Sequence, residues 1–61
     1  DNVRAYLQAP DAELVLVGRD SPEWLDYTCS QYVAKIDGMW YRVGVQHNGN
    51  TVHYVDVEER L

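Results

Sequence analysis

The 61-residue chain contains one cysteine, two prolines and no phenylalanine. A single cysteine, Cys29, excludes an internal disulfide, so a secreted disulfide-rich scaffold is not the expected class. We interpret Cys29 as a buried packing residue, because nothing in the local sequence would activate its thiol. The chain has no signal-like start and no apolar run near the ~20 residues that cross a membrane. These features indicate one small domain from a reducing compartment, cut from a longer protein.

Basic residues are also scarce, with five Lys and Arg against ten Asp and Glu and a net charge of −5. Phosphate backbones and anionic lipids both attract basic surfaces. We therefore expect no direct nucleic-acid binding and no membrane binding, whereas a cationic partner fits the charge of the chain. The alternative is that the excess of acid serves solubility alone.

Residues suited to catalysis or metal binding are few. The only histidines are His47 and His53, which we interpret as a polar turn residue and a solvent-facing strand residue. With one cysteine, no familiar zinc-ligand spacing is present. No pair of carboxylates suggests acid-base chemistry, and no phosphate loop or dinucleotide fingerprint occurs. The sequence predicts a protein that is not an enzyme and holds no metal or cofactor.

Two dipeptides, Asp37-Gly38 and Asn48-Gly49, are typical of two-residue hairpin loops. Such a loop fixes which residues lie opposite each other. The first loop pairs Ile36 with Met39, Ala34 with Tyr41 and Tyr32 with Val43. The second pairs His47 with Asn50, Val45 with Val52, Val43 with Tyr54 and Tyr41 with Asp56. Because side chains alternate faces, both registers predict one core face. Its members are Tyr32, Ala34, Ile36, Met39, Tyr41, Val43, Val45, Val52 and Tyr54, with Asp56 as its only charge.

The rest of the chain contains weaker signals. Asp1 or Asn2 can cap a short helix that ends before Pro10, and residues 13–17 form an apolar, β-branched run typical of a strand. Residues 19–23 indicate a turn or the start of one helical turn, and residues 58–61 a short helical tail. We predict a mostly β fold, a small SH3-like barrel of four to five antiparallel strands with short helical ends. Residues 1–28 would form an N-terminal flank and residues 29–61 the barrel meander.

Aromatic residues crowd around the predicted meander: Tyr27, Tyr32, Trp40, Tyr41 and Tyr54. Aromatic rings beside a carboxylate suit a cationic side chain, since the ring faces provide cation-π contact and the anion accepts hydrogen bonds. The pattern is therefore compatible with a site for a cation. The alternative is that these rings only fill a small core.

Asp-Gly-Met-Trp-Tyr-Arg at residues 37–42 and Tyr-Val-Asp at residues 54–56 resemble the Tudor domain, especially the repeats of germline scaffold proteins. The resemblance covers roughly residues 29–59. It implies a strongly bent SH3-type barrel whose aromatic cage reads methylated arginine or lysine. It also implies a partner with an arginine-rich segment, such as a PIWI-family tail. The implied location is cytoplasmic and germ-granule-like, with the nucleus as an alternative.

The resemblance implies a peptide site at Tyr41, Tyr54, Asp56, Ile36, Val57 and Glu59. Ile36 and Val57 stand where the family keeps aromatic rings, although an alignment without a gap would put Lys35 at the first position. Glu59 stands where the family keeps an asparagine. Each missing ring removes roughly 0.5 to 2 kcal/mol of cation-π attraction.

The hypothesis from sequence is therefore a non-catalytic protein-interaction module of a Tudor-type scaffold. It would bind an arginine-containing segment, rich in Arg and Gly, with weak or no dependence on methylation. Three alternatives remain open. The first is a true methylarginine reader whose cage other residues complete, and the second is a structural or dimerisation module without a peptide site. The third is a catalytic fragment.

Overall fold

A computed structural model describes residues 2–61 of the chain. Its elements are α1 (Asn2–Leu7), β1 (Glu13–Asp20), β2 (Thr28–Ile36), β3 (Met39–Asn48) and β4 (Thr51–Arg60). The four strands form one antiparallel sheet in the order β1-β2-β3-β4, and α1 contacts β4. The predicted mostly β fold is confirmed, and the single sheet with its short helix is consistent with a small barrel-like domain.

The helix forms where its sequence predicts, and it ends at Leu7, three residues before Pro10. Val3 and Leu7, one turn apart, both pack against the sheet. The chain then leaves the helix at Gln8, whose φ is 55°. The Gln8 N–H donates to the Ala5 carbonyl and the Ala9 N–H donates to the Arg4 carbonyl, both at 3.1 Å. This pair of bonds is a Schellman cap. The predicted cap at Asp1 lies outside the described residues.

The β2–β3 hairpin has the predicted register. Ile36 pairs with Met39 across the loop, and the ladder continues through the predicted partners. Asp37 and Gly38 have φ values of 51° and 81°. Positive φ at both loop positions is the pattern of a type I′ turn, which matches the twist of the flanking strands. The Asp-Gly dipeptide therefore determines the pairing register of β2 with β3.

The predicted register between β3 and β4 is wrong. The loop consists of Gly49 and Asn50, one residue later than expected, so that Asn48 pairs with Thr51. Two further shifts leave His53 and Glu58 unpaired as β-bulges in β4. The resulting partners are His47 with Val52, Gln46 with Tyr54, Val45 with Val55, Gly44 with Asp56, Val43 with Val57, Arg42 with Glu59 and Tyr41 with Arg60.

These bulges change which residues of β4 reach the core. The buried cluster is Val3, Ala34, Val43 and Val45, and the partly buried side chains around it are Leu7, Leu14, Tyr32, Ile36, Tyr41, Val52 and Val55. The expected face is therefore correct for most of β2 and β3. It is wrong for Tyr54, which is 53% exposed and is replaced in the core by Val55. Met39, at the turn, is also exposed.

Strand β1 confirms the apolar run as a strand and extends it to Asp20. It pairs with β2, and Val17 is left unpaired between Leu16 and Gly18 as a third bulge. Residues 21–27 contain a turn closed by the Leu25 N–H and the Pro22 carbonyl, at 3.1 Å, in place of a helical turn. The predicted helical tail is wrong, because β4 continues to Arg60. Among residues 2–61, no helix is long and apolar enough to span a membrane.

Candidate functional site

The structure does not bring together the two tyrosines of the predicted peptide site. Tyr41 pairs with Arg60, whereas Tyr54 pairs with Gln46, five positions further along β3. At 3.4 Å per residue this separation is about 17 Å. Because five is odd, the two rings also point to opposite faces of the sheet. Tyr41 packs against the core cluster and Tyr54 is exposed on the other face.

The other four predicted site residues are also dispersed. Ile36 lies beside the first turn and packs against the core. Val57 lies opposite Val43 on the core face, and Glu59 lies opposite Arg42 near the end of the sheet. Only Asp56 remains on the same stretch and face of β4 as Tyr54. An aromatic cage formed by these residues is not present.

Tyr54 and Asp56 instead line a groove on the outer face of the sheet. We name this depression, of about 120 Å³, the acidic groove. Its lining includes Tyr54, Asp56 and Glu58 from β4 and, from β2 and β3, Cys29, Gln31, Gly44 and Gln46. Cys29 is half-buried on this face, so its expected place in the core is wrong. The second bulge, at Glu58, supplies a carboxylate that the sequence prediction had assigned to a helical tail.

Gly44 shapes the floor of the acidic groove. A Cβ atom built at this position would lie 3.1 Å from Glu58 Oε2 and 3.3 Å from Gln31 Nε2. The Glu58 carboxylate therefore extends across β3 into space that any larger residue at position 44 would occupy. The groove thus combines an exposed phenol ring with two carboxylates and two side-chain amides.

A second polar cluster lies on the opposite, core-facing side of the sheet. Ser30 is 0% exposed, and its Oγ lies 2.7 Å from His47 Nε2. His47 Nδ1 lies 2.9 Å from the Gly49 carbonyl oxygen, which can only accept a hydrogen bond. In the neutral imidazole, Nδ1 therefore carries the proton and donates to Gly49, while Nε2 accepts a hydrogen bond from the Ser30 hydroxyl. The Arg19 Nε–H donates to Ser30 Oγ at 3.4 Å.

This cluster adjoins a depression of about 450 Å³, which we name the inner pocket. Its lining consists of Val3, Arg19, Tyr32, Val45, His47, Gly49, Asn50 and Val52. The sequence predicts His47 as a turn residue and predicts no role for Arg19 or Ser30. The strand alternation of Ser30 with Tyr32 and Ala34 was the available signal, since it places a hydroxyl on the core face.

The Ser30 and His47 pair has the contacts of a nucleophile and its general base. It lacks the access that such chemistry needs, because Ser30 is completely buried and an incoming carbonyl has no path to Oγ. The hydrogen bonds instead satisfy the Ser30 hydroxyl and both ring nitrogens of His47, as expected for buried polar groups. We therefore assign the cluster a positioning role for Arg19 and for the β3–β4 turn.

Comparison of the chain with family models, with curated proteins and with solved structures finds no match, so the Tudor resemblance remains an expectation. Within residues 2–61, no group of three or more His, Cys, Asp and Glu side chains is arranged to hold a metal ion.

Proposed function

We propose that this chain is a non-catalytic protein-interaction module that binds an arginine-containing segment in the acidic groove. The observation that carries the proposal is that Tyr54, Asp56 and Glu58 line one depression beside Gly44. Two of these three residues belong to the site expected from sequence, and the third replaces Glu59. The net charge of −5 supports a cationic partner.

The chemistry of the groove suits a guanidinium group. Its planar fork of N–H donors can bridge to carboxylates, and its flat face can stack on a phenol ring. Asp56 and Glu58 provide the acceptors, and the exposed ring of Tyr54 provides the apolar face. A lysine would interact with the carboxylates as a point charge. Its ammonium group has no planar fork to bridge the two carboxylates and no flat face to stack on the ring.

Methylation of the arginine is expected to bring no gain. Methyl groups on a guanidinium profit from surrounding ring faces, and the acidic groove contains one ring where a cage would contain several. Each methyl group also replaces an N–H donor that Asp56 or Glu58 would accept. The module is therefore proposed to bind Arg- and Gly-rich segments, such as PIWI-type tails, without a requirement for dimethylation. That partner class, and a germ-granule-like cytoplasmic location, rest on the resemblance at residues 37–42 and 54–56.

Calorimetric titration with an arginine-glycine peptide, unmodified and symmetrically dimethylated, tests the proposal. We expect the two forms to bind within about threefold of each other and binding to weaken as salt rises, because exposed ion pairs are screened. Asp56→Asn should weaken binding more than Tyr54→Leu. Asp26→Asn, which removes an exposed carboxylate outside the groove, is the matched control and should leave affinity unchanged.

Two results would overturn this function. Dimethylated peptide binding at least tenfold tighter than unmodified peptide would restore the methylarginine-reader alternative. Absence of binding by either peptide would favour the structural alternative.

The structural alternative has an observation of its own. Strand β1 is an edge of the sheet, and its consecutive residues Val15, Leu16 and Val17 are all exposed. An apolar edge strand offers unpaired N–H and C=O groups for pairing with a second strand. If the module acts by self-association, sedimentation equilibrium should detect dimers that Val15→Lys abolishes, with Glu59→Lys on the opposite edge as control.

A further inference from the structure

The inner pocket carries a charge opposite to that of the whole protein. Among the residues 2–61 that line it, Arg19 is the charged side chain and none is Asp or Glu. The chain as a whole has twice as many acidic as basic residues. We propose that the inner pocket binds a small monocarboxylate with an apolar body, at a site separate from the acidic groove.

The walls of the pocket suit the apolar part of such a ligand. Val3 from α1, Tyr32 from β2, Val45 from β3 and Val52 from β4 converge on it. Its volume of about 450 Å³ lies within the ~300–1,000 Å³ of typical small-molecule sites. Apolar walls with a few convergent polar groups at one end are the usual composition of a ligand pocket. An acyl chain or a phenyl group would lie against these side chains in an open depression.

Arg19 provides the recognition of the carboxylate. Its Nε donates to Ser30, which leaves the terminal guanidinium nitrogens for a ligand. Within the described part of the chain, Arg19 makes no ion pair that would compete. A guanidinium binds a carboxylate through two parallel hydrogen bonds, a geometry that an ammonium group does not reproduce.

The Ser30 and His47 hydrogen bonds orient the exposed Arg19 side chain through one contact, the 3.4 Å bond from its Nε to Ser30 Oγ. Ser30 is fully buried and is itself fixed by His47 Nε2, while His47 is fixed by the Gly49 carbonyl. Both nitrogens of His47 are engaged in this chain of bonds. His47 is therefore a positioning residue, and Arg19 is the donor to the ligand.

The bulge at Val17 explains why a charged residue is present on this face. Leu14 and Leu16 lie opposite Ala34 and Tyr32, and regular alternation would place Gly18 next on the same side. The unpaired Val17 shifts the register by one residue, so that Arg19 lies opposite Ser30 instead. A regular strand would have directed Arg19 to the outer face, away from the pocket.

A ligand series on the unmodified protein tests the proposal directly. We use 3-phenylpropionate as the probe, with 3-phenylpropanamide and 3-phenylpropylamine as uncharged and cationic analogues of the same shape. In an NMR titration of ¹⁵N-labelled protein, 3-phenylpropionate should give saturable chemical-shift changes at the Gly49 and Asn50 amides and at Arg19 Nε–H. The amide should bind at least tenfold more weakly, and the amine should give no shifts there. The proposal would be overturned if 3-phenylpropionate and 3-phenylpropanamide bound equally tightly. It would also be overturned if the chemical-shift changes caused by 3-phenylpropionate were confined to other residues.

Variants test the role of Arg19. Arg19→Gln should weaken the binding of 3-phenylpropionate at least tenfold. Arg19→Lys should cause an intermediate loss of affinity, because lysine keeps the charge but lacks the paired guanidinium donors. Arg42→Gln, an identical change of an exposed arginine on the outer face, is the control and should have no effect.

Ser30→Ala tests the orientation of Arg19. This variant keeps the charge of Arg19 but removes the hydrogen bond to its Nε, so it should weaken ligand binding and abolish the ligand-induced chemical-shift change at Nε–H. Arg19→Gln should leave the binding of the arginine peptide to the acidic groove unchanged. The two proposed sites are therefore tested independently of each other. Equal losses in Arg19→Gln and Arg42→Gln would overturn the assignment.

Discussion

Val43 and Val57 lie directly opposite each other on β3 and β4, yet their environments differ greatly. Val43 is 0% exposed beneath the helix, whereas Val57 is 48% exposed because β4 is an edge of the sheet. The same residue type in paired positions therefore offers an internal test of how much burial contributes to stability.

We expect Val43→Asp to lower the free energy of unfolding by more than about 3 kcal/mol, because it buries an unpaired carboxylate. Small single-core domains have little stability to spare, so this variant should lose its cooperative thermal transition. Val57→Asp, the same change at the partner position, should cost less than about 1 kcal/mol. Thermal and urea unfolding followed by circular dichroism provides the measurement. Similar losses in both variants would contradict the burial of Val43.

Individual core residues were predictable where a strand lacks bulges. Alternation along β2 and the inner part of β3 predicted Ala34, Val43 and Val45, and all three are buried. The same alternation, continued back along β2, places Ser30 inward, a position that the sequence analysis left out. The partner of its hydroxyl is His47, which the sequence predicts beside a turn because the Asn48-Gly49 dipeptide indicates a loop one residue before the observed one.

At the scale of elements, the end of α1 is held in a conformation that its residue disfavours. Gln8 adopts φ of 55° to form the Schellman cap, a region that costs a residue with a Cβ atom about 1–2 kcal/mol relative to glycine. We predict that Gln8→Gly stabilises the protein by about 0.5–1 kcal/mol, after the greater freedom of glycine in the unfolded chain is deducted. The midpoint of urea unfolding should rise accordingly.

Gln8→Ala is the control for that substitution. Alanine removes the same side-chain atoms but keeps the Cβ atom, so it should give no stabilisation. A rise in the midpoint with alanine equal to that with glycine would show that the side chain of Gln8, and not its backbone conformation, is the source of the strain.

The elements themselves were more predictable than their registers. Helix α1 and all four strands coincide with sequence signals, because apolar spacing and turn dipeptides act locally. The bulges at Val17, His53 and Glu58 have no such local signal. They depend on which side chains fit beneath the helix and between strands, which is a property of the assembled core. The expected peptide site failed to assemble for this reason, since its geometry depended on an unbroken β4.

On the scale of the whole molecule, the sheet has two protected strands and two edges. β2 and β3 are paired on both sides, whereas β1 and β4 each have one paired neighbour within the described residues. The helix contacts β4 on the core face, where Val3 belongs to the same buried cluster as Ala34, Val43 and Val45. The two proposed sites lie on opposite faces, the acidic groove outside and the inner pocket inside.

We predict that amide hydrogen exchange follows this arrangement. The amides of Ala34 and Val43 should exchange at the rate of global unfolding, because only full opening breaks their ladders. Amides near the bulges at Val17 and Glu58 should exchange at least tenfold faster through local opening. NMR-detected exchange of the native protein measures both sets. Equal protection across all four strands would contradict a sheet with two independent edges.

The three bulges also determine where this chain can change in length. Each bulge residue lacks a partner, so deletion of Val17, His53 or Glu58 leaves every other pair of the ladder matched as before. Deletion of a paired residue would shift all pairs beyond it by one and exchange the inner and outer side chains of that strand. Loss of one codon should therefore be tolerated at these three positions and disruptive within β2 and β3, which contain no bulge to absorb the shift. Genetic variation in the length of β1 and β4 is thus expected to concentrate at three codons.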